Sequence, residues 1–188
     1  MSIIETIFRS KSIGFLTLHE ASSDDYMGAY LITDFEGLPK EFRCTHSIKP
    51  DDVQKALYGD ALLSYIGVEL CGKPLIQSSK NRPRIIIVDK SFLLKLSDHS
   101  SYPVAFVNRV ENGDKLTDIE EYGSEYQIER MKSNHYEDET LEIVKKKEDN
   151  PHSSELMKKL CYEFDIFEPF DRMLNAIESL RQKSSRFR

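Results

Sequence analysis

The chain has 188 residues, 26 basic and 32 acidic side chains, 39% hydrophobic residues and no tryptophan, the composition of a globular protein with its own core. A chain of this length buries roughly 70% of the surface its unfolded form exposes, so folding demands neither a disulfide nor a structural metal. No apolar run approaches the roughly 18 residues that cross a bilayer, which excludes a membrane-spanning helix.

Residues 1–9 are interrupted by Glu5 and Arg9 and lack a small-residue cleavage site, so no secretory signal is expected. Cys44, Cys71 and Cys161 lie far apart in sequence, which fits free thiols in a reducing cytoplasm. The formal charge of -6 is unevenly placed: residues 111–150 hold 13 acidic and 6 basic side chains, and the rest of the chain is close to neutral.

Residues 13–48 read as a three-strand antiparallel meander. Ile13, Gly14, Phe15, Leu16, Thr17 and Leu18 make an apolar, strand-sized run that the polar stretch 20–25 ends. Residues 27–33 form the second strand. Asp34, Phe35, Glu36 and Gly37 then carry turn chemistry, with Asp34 placed to cap the turn and Gly37 able to take a positive φ. The third strand, 41–48, alternates Phe42, Cys44, His46 and Ile48 on one face with Glu41, Arg43, Thr45 and Ser47 on the other.

A helix over about residues 50–66 is expected next, because Pro50 suits its entry and Asp51 and Asp52 suit the positive end of its dipole. Val53, Leu57 and Ala61, extended by Leu62 and Tyr65, are spaced as an apolar stripe that covers the sheet. Gly59 predicts either a break or a close approach by another chain or by the strand of Phe42 and Arg43. A short helix or irregular stretch runs on to Ser79. Residues 84–89 read as a strand whose middle, Ile85 to Val88, is apolar throughout, the pattern of a strand buried on both faces in a central or parallel position. Residues 102–110 make a further strand.

Segment 111–150 has apolar residues too sparse for a core element, although Glu125 to Glu129 alternate as an exposed edge strand would. Residues 150–154 end it. In the tail, Phe167, Phe170, Met173, Leu174, Ile177 and Leu180 recur at spacings of three and four, and Pro169 suits a first turn. This amphipathic helix must dock on the chain's own sheet or, through Phe170, Leu174 and Ile177, on a protein partner. The expected organisation is a core of residues 1–110, an acidic surface elaboration over 111–150 and a C-terminal helix within 151–188.

Among motifs that carry chemistry, the Gly-rich phosphate loops, the Gly-x-Ser-x-Gly elbow, the His-Glu-x-x-His helix and the Cys-x-x-Cys pair are all absent. Cys44 and His46 could hold zinc only with two further ligands, for which His19 and Cys71 are the candidates, and small buried residues account for them better, so no metal site is expected there. Lys80, Arg82 and Arg84, with Lys73, Lys49 and Arg43 nearby, form the candidate phosphate-binding surface for nucleic acid.

Three strands, a helix and a buried strand ending in aspartate is also the element order of ribonuclease H-like nucleases. The run Pro83-Arg84-Ile85-Ile86-Ile87-Val88-Asp89 resembles the buried strand in endonuclease V-type members that ends in a metal-binding aspartate. The resemblance covers residues 13–95 and implies Mg²⁺-dependent hydrolysis, with Glu20, Asp34 and Asp89 as the available carboxylates. The first strand, where that family carries its first aspartate, reads Phe15-Leu16-Thr17-Leu18-His19-Glu20, with an acid only beyond its end. A more local pattern, residues 28–34, 37–43 and 56–62, is similar to uncharacterised bacterial proteins and implies no activity.

The sequence therefore predicts an α+β fold: an antiparallel three-strand meander followed by a helix and a buried strand, with an amphipathic C-terminal helix packed on the sheet. Missing catalytic motifs, the acidic segment and the terminal helix point to a non-catalytic subunit or adaptor of a cytoplasmic bacterial multiprotein system, one that can act on nucleic acid. Such a protein needs no cofactor, works with a protein partner or a second copy of itself, and does not enter a membrane. The alternative is a divergent ribonuclease H-like nuclease that uses Mg²⁺.

Overall fold

The computed structural model describes residues 12–22, 24–111, 114–147 and 151–185. The meander forms as expected: β1 (Ile13–Ser22), β2 (Asp25–Thr33) and β3 (Pro39–Cys44) pair antiparallel, with Ile13 opposite Thr33 and Leu31 opposite Phe42. The strand after them, β4 (Ile86–Val88), lies parallel to β1, and β5 (Val104–Glu111) lies parallel to β4. A hairpin of β6 (Tyr126–Ser133) and β7 (Tyr136–Lys146) completes a seven-stranded mixed sheet in the order β3-β2-β1-β4-β5-β7-β6. All three β4 residues are buried, as an apolar run between two parallel neighbours requires.

Two apolar layers flank the sheet. On one face, Leu16, Tyr30, Ile32, Ile86 and Val88 meet Ile66, Val68, Cys71 and Leu75 from the crossover and Leu93, Leu94 and Leu96 from a 3₁₀ stretch, Ser91–Asp98. On the other, Ile13, Phe15, Ile87, Leu141 and Ile143 meet two helices, α4 (Pro151–Glu163) and α5 (Glu168–Ser185). The fold is α+β with its C-terminal helix on the sheet.

The crossover departs from the expected single helix. Helix α1 (Asp52–Tyr58) opens on a capping box, in which Asp51 accepts from the Gln54 amide at 2.7 Å and Gln54 accepts from the Asp51 amide at 3.0 Å. Gly59 ends it at φ +48, and no described residue of this chain lies within 4 Å of where a Cβ would stand, so the glycine acts as a break and the strand of Phe42 and Arg43 does not approach it closely. The stripe of Val53, Leu57 and Ala61 consequently faces solvent, and no residue of α1 is buried. The side chains that reach the sheet follow the break, after the short helix α2 (Leu62–Tyr65). They come from a π-helical stretch, Ile66–Gly72, and α3 (Lys73–Ser78). That stretch sits close: a Cβ on Gly28 of β2 would stand 2.5 Å from the Cys71 Cβ.

Two further elements were hidden by polar residues. Strand β7 is internal to the sheet, with Leu141, Ile143 and Val144 buried beside Glu142 and Lys145. Glu142 accepts from the Thr117 amide and hydroxyl and from Arg130, while Lys145 reaches Glu129 at 3.2 Å and the hydroxyls of Ser153 and Ser154. These partners satisfy ions that would otherwise be costly inside. Strand β6 is the edge strand that its alternation predicts. An open cavity of about 530 Å³ lies along it, lined by Lys115, Thr117, Tyr126, Ile128 and Arg130. Helix α4 buries Met157, Leu160 and Cys161 where the sequence shows only the end of a polar segment.

Candidate functional site

Parallel pairing of β1 with β4 runs through Phe15 opposite Ile87 and Leu16 opposite Val88, so the next residues, Thr17 and Asp89, stand side by side where β4 ends and β1 runs on beyond it. The Thr17 hydroxyl donates to Asp89 Oδ2 at 3.0 Å, and the Lys90 ammonium lies 3.5 Å from the same oxygen. The other oxygen, Oδ1, is buried and has no hydrogen-bond partner among the described residues. Burial raises the Asp89 carboxyl above the usual carboxylate range, and Lys90 and Thr17 offset it only in part. At the same sheet edge Arg109 lies 4.7 Å from the ring centroids of both Tyr136 and Phe167, with Glu139 at 3.7 Å.

The other two carboxylates do not join Asp89. Asp34 sits at the opposite end of β1, since its neighbour Thr33 pairs with Ile13. Its Oδ1 accepts from the amides of Glu36 and Leu38 at 3.1 and 2.9 Å, and the turn packs under Phe164 while Arg172 donates to the Gly37 carbonyl at 2.8 Å. Glu20 lies three residues beyond Thr17, about 10 Å along the strand, and accepts from the Asp24 amide at 3.2 Å. The structure does not bring Glu20, Asp34 and Asp89 together.

Magnesium asks for several oxygen ligands in near-octahedral order, usually with more than one carboxylate. The strand end supplies one carboxylate, a hydroxyl that already donates to it and a competing ammonium, which does not fit that ion. No group of three or more His, Cys, Asp or Glu side chains able to hold a metal occurs among the described residues. Cys44 and Cys71 have thiols raised by burial, and Cys161 is pushed up to about 12, so none is activated as a nucleophile.

The basic loop lies at the opposite end of β4, where Arg84 precedes the strand that Asp89 follows. Glu41 on β3 clamps it, accepting from the amides of Lys80 at 3.0 Å and Asn81 at 2.8 Å, from the Asn81 side chain at 3.0 Å and from Arg43. Burial alone would raise the Glu41 carboxyl, but these donors hold it down at about 2. Lys80 and Arg82 remain exposed, and Arg84 is half-buried. Other cations of the expected surface are engaged: Arg43 with Glu41, Lys73 with Glu69 at 2.7 Å and Lys49 with Asp25 at 3.6 Å.

Phe170 and Ile177 belong to the core and are not a partner surface. Phe170 meets Phe15 edge-on at 5.7 Å, Ile177 is fully buried, and Leu174 is half-buried on the flank of α5. The stripe has docked on the chain's own sheet.

No family model and no curated protein matches the sequence. Solved structures do. Human endonuclease V aligns over 93% of this chain and 86% of its own at 14% identity, with a TM-score of 0.62. Endonuclease V of Ciona intestinalis, crystallised with a 24-mer DNA containing an inosine followed by a ribo-adenosine, aligns over 92% and 87% at 11% identity, with a TM-score of 0.55. The fold is endonuclease V-like. At such identities the likeness is one of architecture, and it extends beyond the half-chain resemblance of residues 13–95 to nearly the whole protein. Within this endonuclease V-like sheet, Asp89 stands at the end of the buried strand as the sequence pattern places it, whereas Thr17 as its neighbour was missed. The parallel register that joins them spans 72 residues of chain.

Proposed function

We propose that this chain is a nucleic-acid-binding subunit that does not cleave what it binds and acts with protein partners in a cytoplasmic assembly. The observation that carries the reading is the pairing of Asp89 with Thr17. A strand-end site that hydrolyses phosphodiesters with divalent cations holds them through carboxylates from more than one position. Here the adjacent strand offers a hydroxyl, and Lys90 lies against the carboxylate that remains. The endonuclease V-like fold supports nucleic acid as the ligand class. Lys80 and Arg82 supply exposed cations on a loop that Glu41 holds in place, and such contacts bind phosphates in a salt-dependent way.

The test is to titrate the purified protein with single-stranded and duplex 24-mer DNA and RNA, with and without inosine, and to follow strand integrity in Mg²⁺ and Mn²⁺. Binding that weakens linearly in log-log salt plots, about tenfold weaker in the doubly substituted K80E/R82E chain, with strands left intact, is the expected result. Metal-dependent cleavage that disappears in Asp89→Asn would overturn it in favour of a divergent Mg²⁺ nuclease. Absence of binding at low salt would remove nucleic acid from the reading.

A further inference from the structure

Helix α1 carries an apolar stripe and touches no core. Val53 and Leu57, one turn apart on the same helix face, are 66% and 79% exposed, and Leu63 of α2 is 42% exposed. Seven residues have no helical stability of their own in water. What holds α1 is its capping box, the ion pair of Lys55 with Asp24 at 2.8 Å and the packing of Tyr58 on Tyr65, with ring centroids 4.5 Å apart. The surrounding charge is mostly negative: Lys55 is already shared between Asp24 and Asp52, Asp51 and Asp60 are exposed on the same short stretch of chain, and the neighbouring cation Lys49 is engaged with Asp25.

We propose that this face docks an apolar segment bordered by lysine or arginine on another protein. Burial of Val53 and Leu57 would supply the attraction and the aspartates the selection, because a basic border satisfies them and an acidic one repels. The same charges disfavour a second copy of this chain, whose identical face would bring aspartate against aspartate. The inference stands on α1 and its immediate neighbours Asp24, Asp60 and Leu63, at residues separate from the basic loop and from Asp89.

Two short helical peptides with the same leucine face, one with lysines and one with glutamates at its polar positions, serve as probes in fluorescence anisotropy with the full chain. The lysine peptide is expected to bind at least about tenfold more tightly, to lose about tenfold on Leu57→Asp and to weaken with salt. Leu57 is solvent-exposed, so the variant keeps its fold, which circular dichroism verifies. Equal affinity for the two peptides, no binding of either, or binding unchanged by Leu57→Asp overturns the proposal. A dimer in sedimentation velocity that Leu57→Asp dissolves would assign the face to a second copy and overturn it as well. K80E/R82E should leave peptide binding intact and Leu57→Asp should leave nucleic-acid binding intact, so failure of one reading is separable from failure of the other.

Discussion

Helices α1 and α5 look alike in sequence, each amphipathic with acids in the first turn, and each is tied to the body by one of two consecutive aspartates. Asp24 holds α1 through Lys55. Asp25, whose side chain is 4% exposed, holds α5 through Arg181 at 3.2 Å and also accepts from Ser47. The outcomes diverge because α5 lays Phe170, Met173 and Ile177 into a core, whereas α1 ends at Gly59 before any of its apolar side chains meets the sheet. An apolar stripe thus specifies burial without specifying against what. A stripe that remains exposed beside a solvated ion pair is available for binding, and one locked over a buried ion pair is not.

The largest effect should come from Ile177→Asp, which places an unpaired carboxylate in the core. We expect a loss beyond about 4 kcal/mol and a chain that fails to fold, seen as loss of the cooperative transition in urea. Leu174→Asp, on the half-buried flank, should still fold. If Ile177→Asp folded normally, the opposition between the two helices would collapse.

Next in size is Asp25→Ala, which strands Arg181 and frees Ser47. Breaking a largely buried pair costs about 3 kcal/mol, reduced by the partial exposure of Arg181, so about 2 kcal/mol is expected in chemical denaturation. Burial raises the Asp25 carboxyl, yet Ser47, Arg181 and Lys49 together bring it below its ordinary value of 3.8. Its contribution is therefore complete above that value and is lost as pH falls through the lower folded one. Glu41 acts in the same direction between its ordinary 4.5 and about 2. Asp89, raised above 3.8, acts in the opposite direction, and its unfavourable contribution grows as pH rises through that value. Acid titration of the native chain should show a decline in stability below pH 4.5 that is shallower in Asp25→Ala and in Glu41→Gln.

Much of this was legible locally. The meander, the buried strand ending at Asp89, the edge strand signalled by the alternation at 125–129 and helix α5 each follow from an unbroken pattern or a turn signal within a few residues. Strand β7 was not, because Glu142 and Lys145 sit inside it and read as surface until Thr117, Arg130, Glu129 and Ser153 are brought around them. Helix α4 was masked by the polar residues among which Met157, Leu160 and Cys161 are set. At the site, Asp89 could be picked out as the end of an apolar strand. That its neighbour is Thr17, and that Asp34 lies at the wrong end of β1, are facts of strand register that no local window contains.

Smaller effects sharpen the contrast on the α1 side. Gly59→Ala puts a Cβ into open space but at φ +48 and ψ -130, outside the left-handed helical well that other residues occasionally adopt, so the cost is backbone strain alone, about 2 kcal/mol. Because α1 contributes nothing to the core, that strain should be relieved by local fraying, visible as faster amide exchange over residues 52–61 with global stability almost unchanged.

Asp24→Ala should matter least. Its side chain is 44% exposed and that of Lys55 35% exposed, so the pair is screened and competes with water. Only a small change in melting temperature is expected, set by the φ of +60 that Asp24 adopts and Ala tolerates less well, against the clear loss on Asp25→Ala one residue away. If Asp24→Ala were as destabilising as Asp25→Ala, α1 would be a structural part of the fold, and its exposed stripe would no longer be surface left free for a partner. If stability is almost unchanged while the lysine peptide binds more weakly, the two aspartates divide cleanly: one fixes a helix that builds the protein, and the other belongs to a helix that meets something outside it.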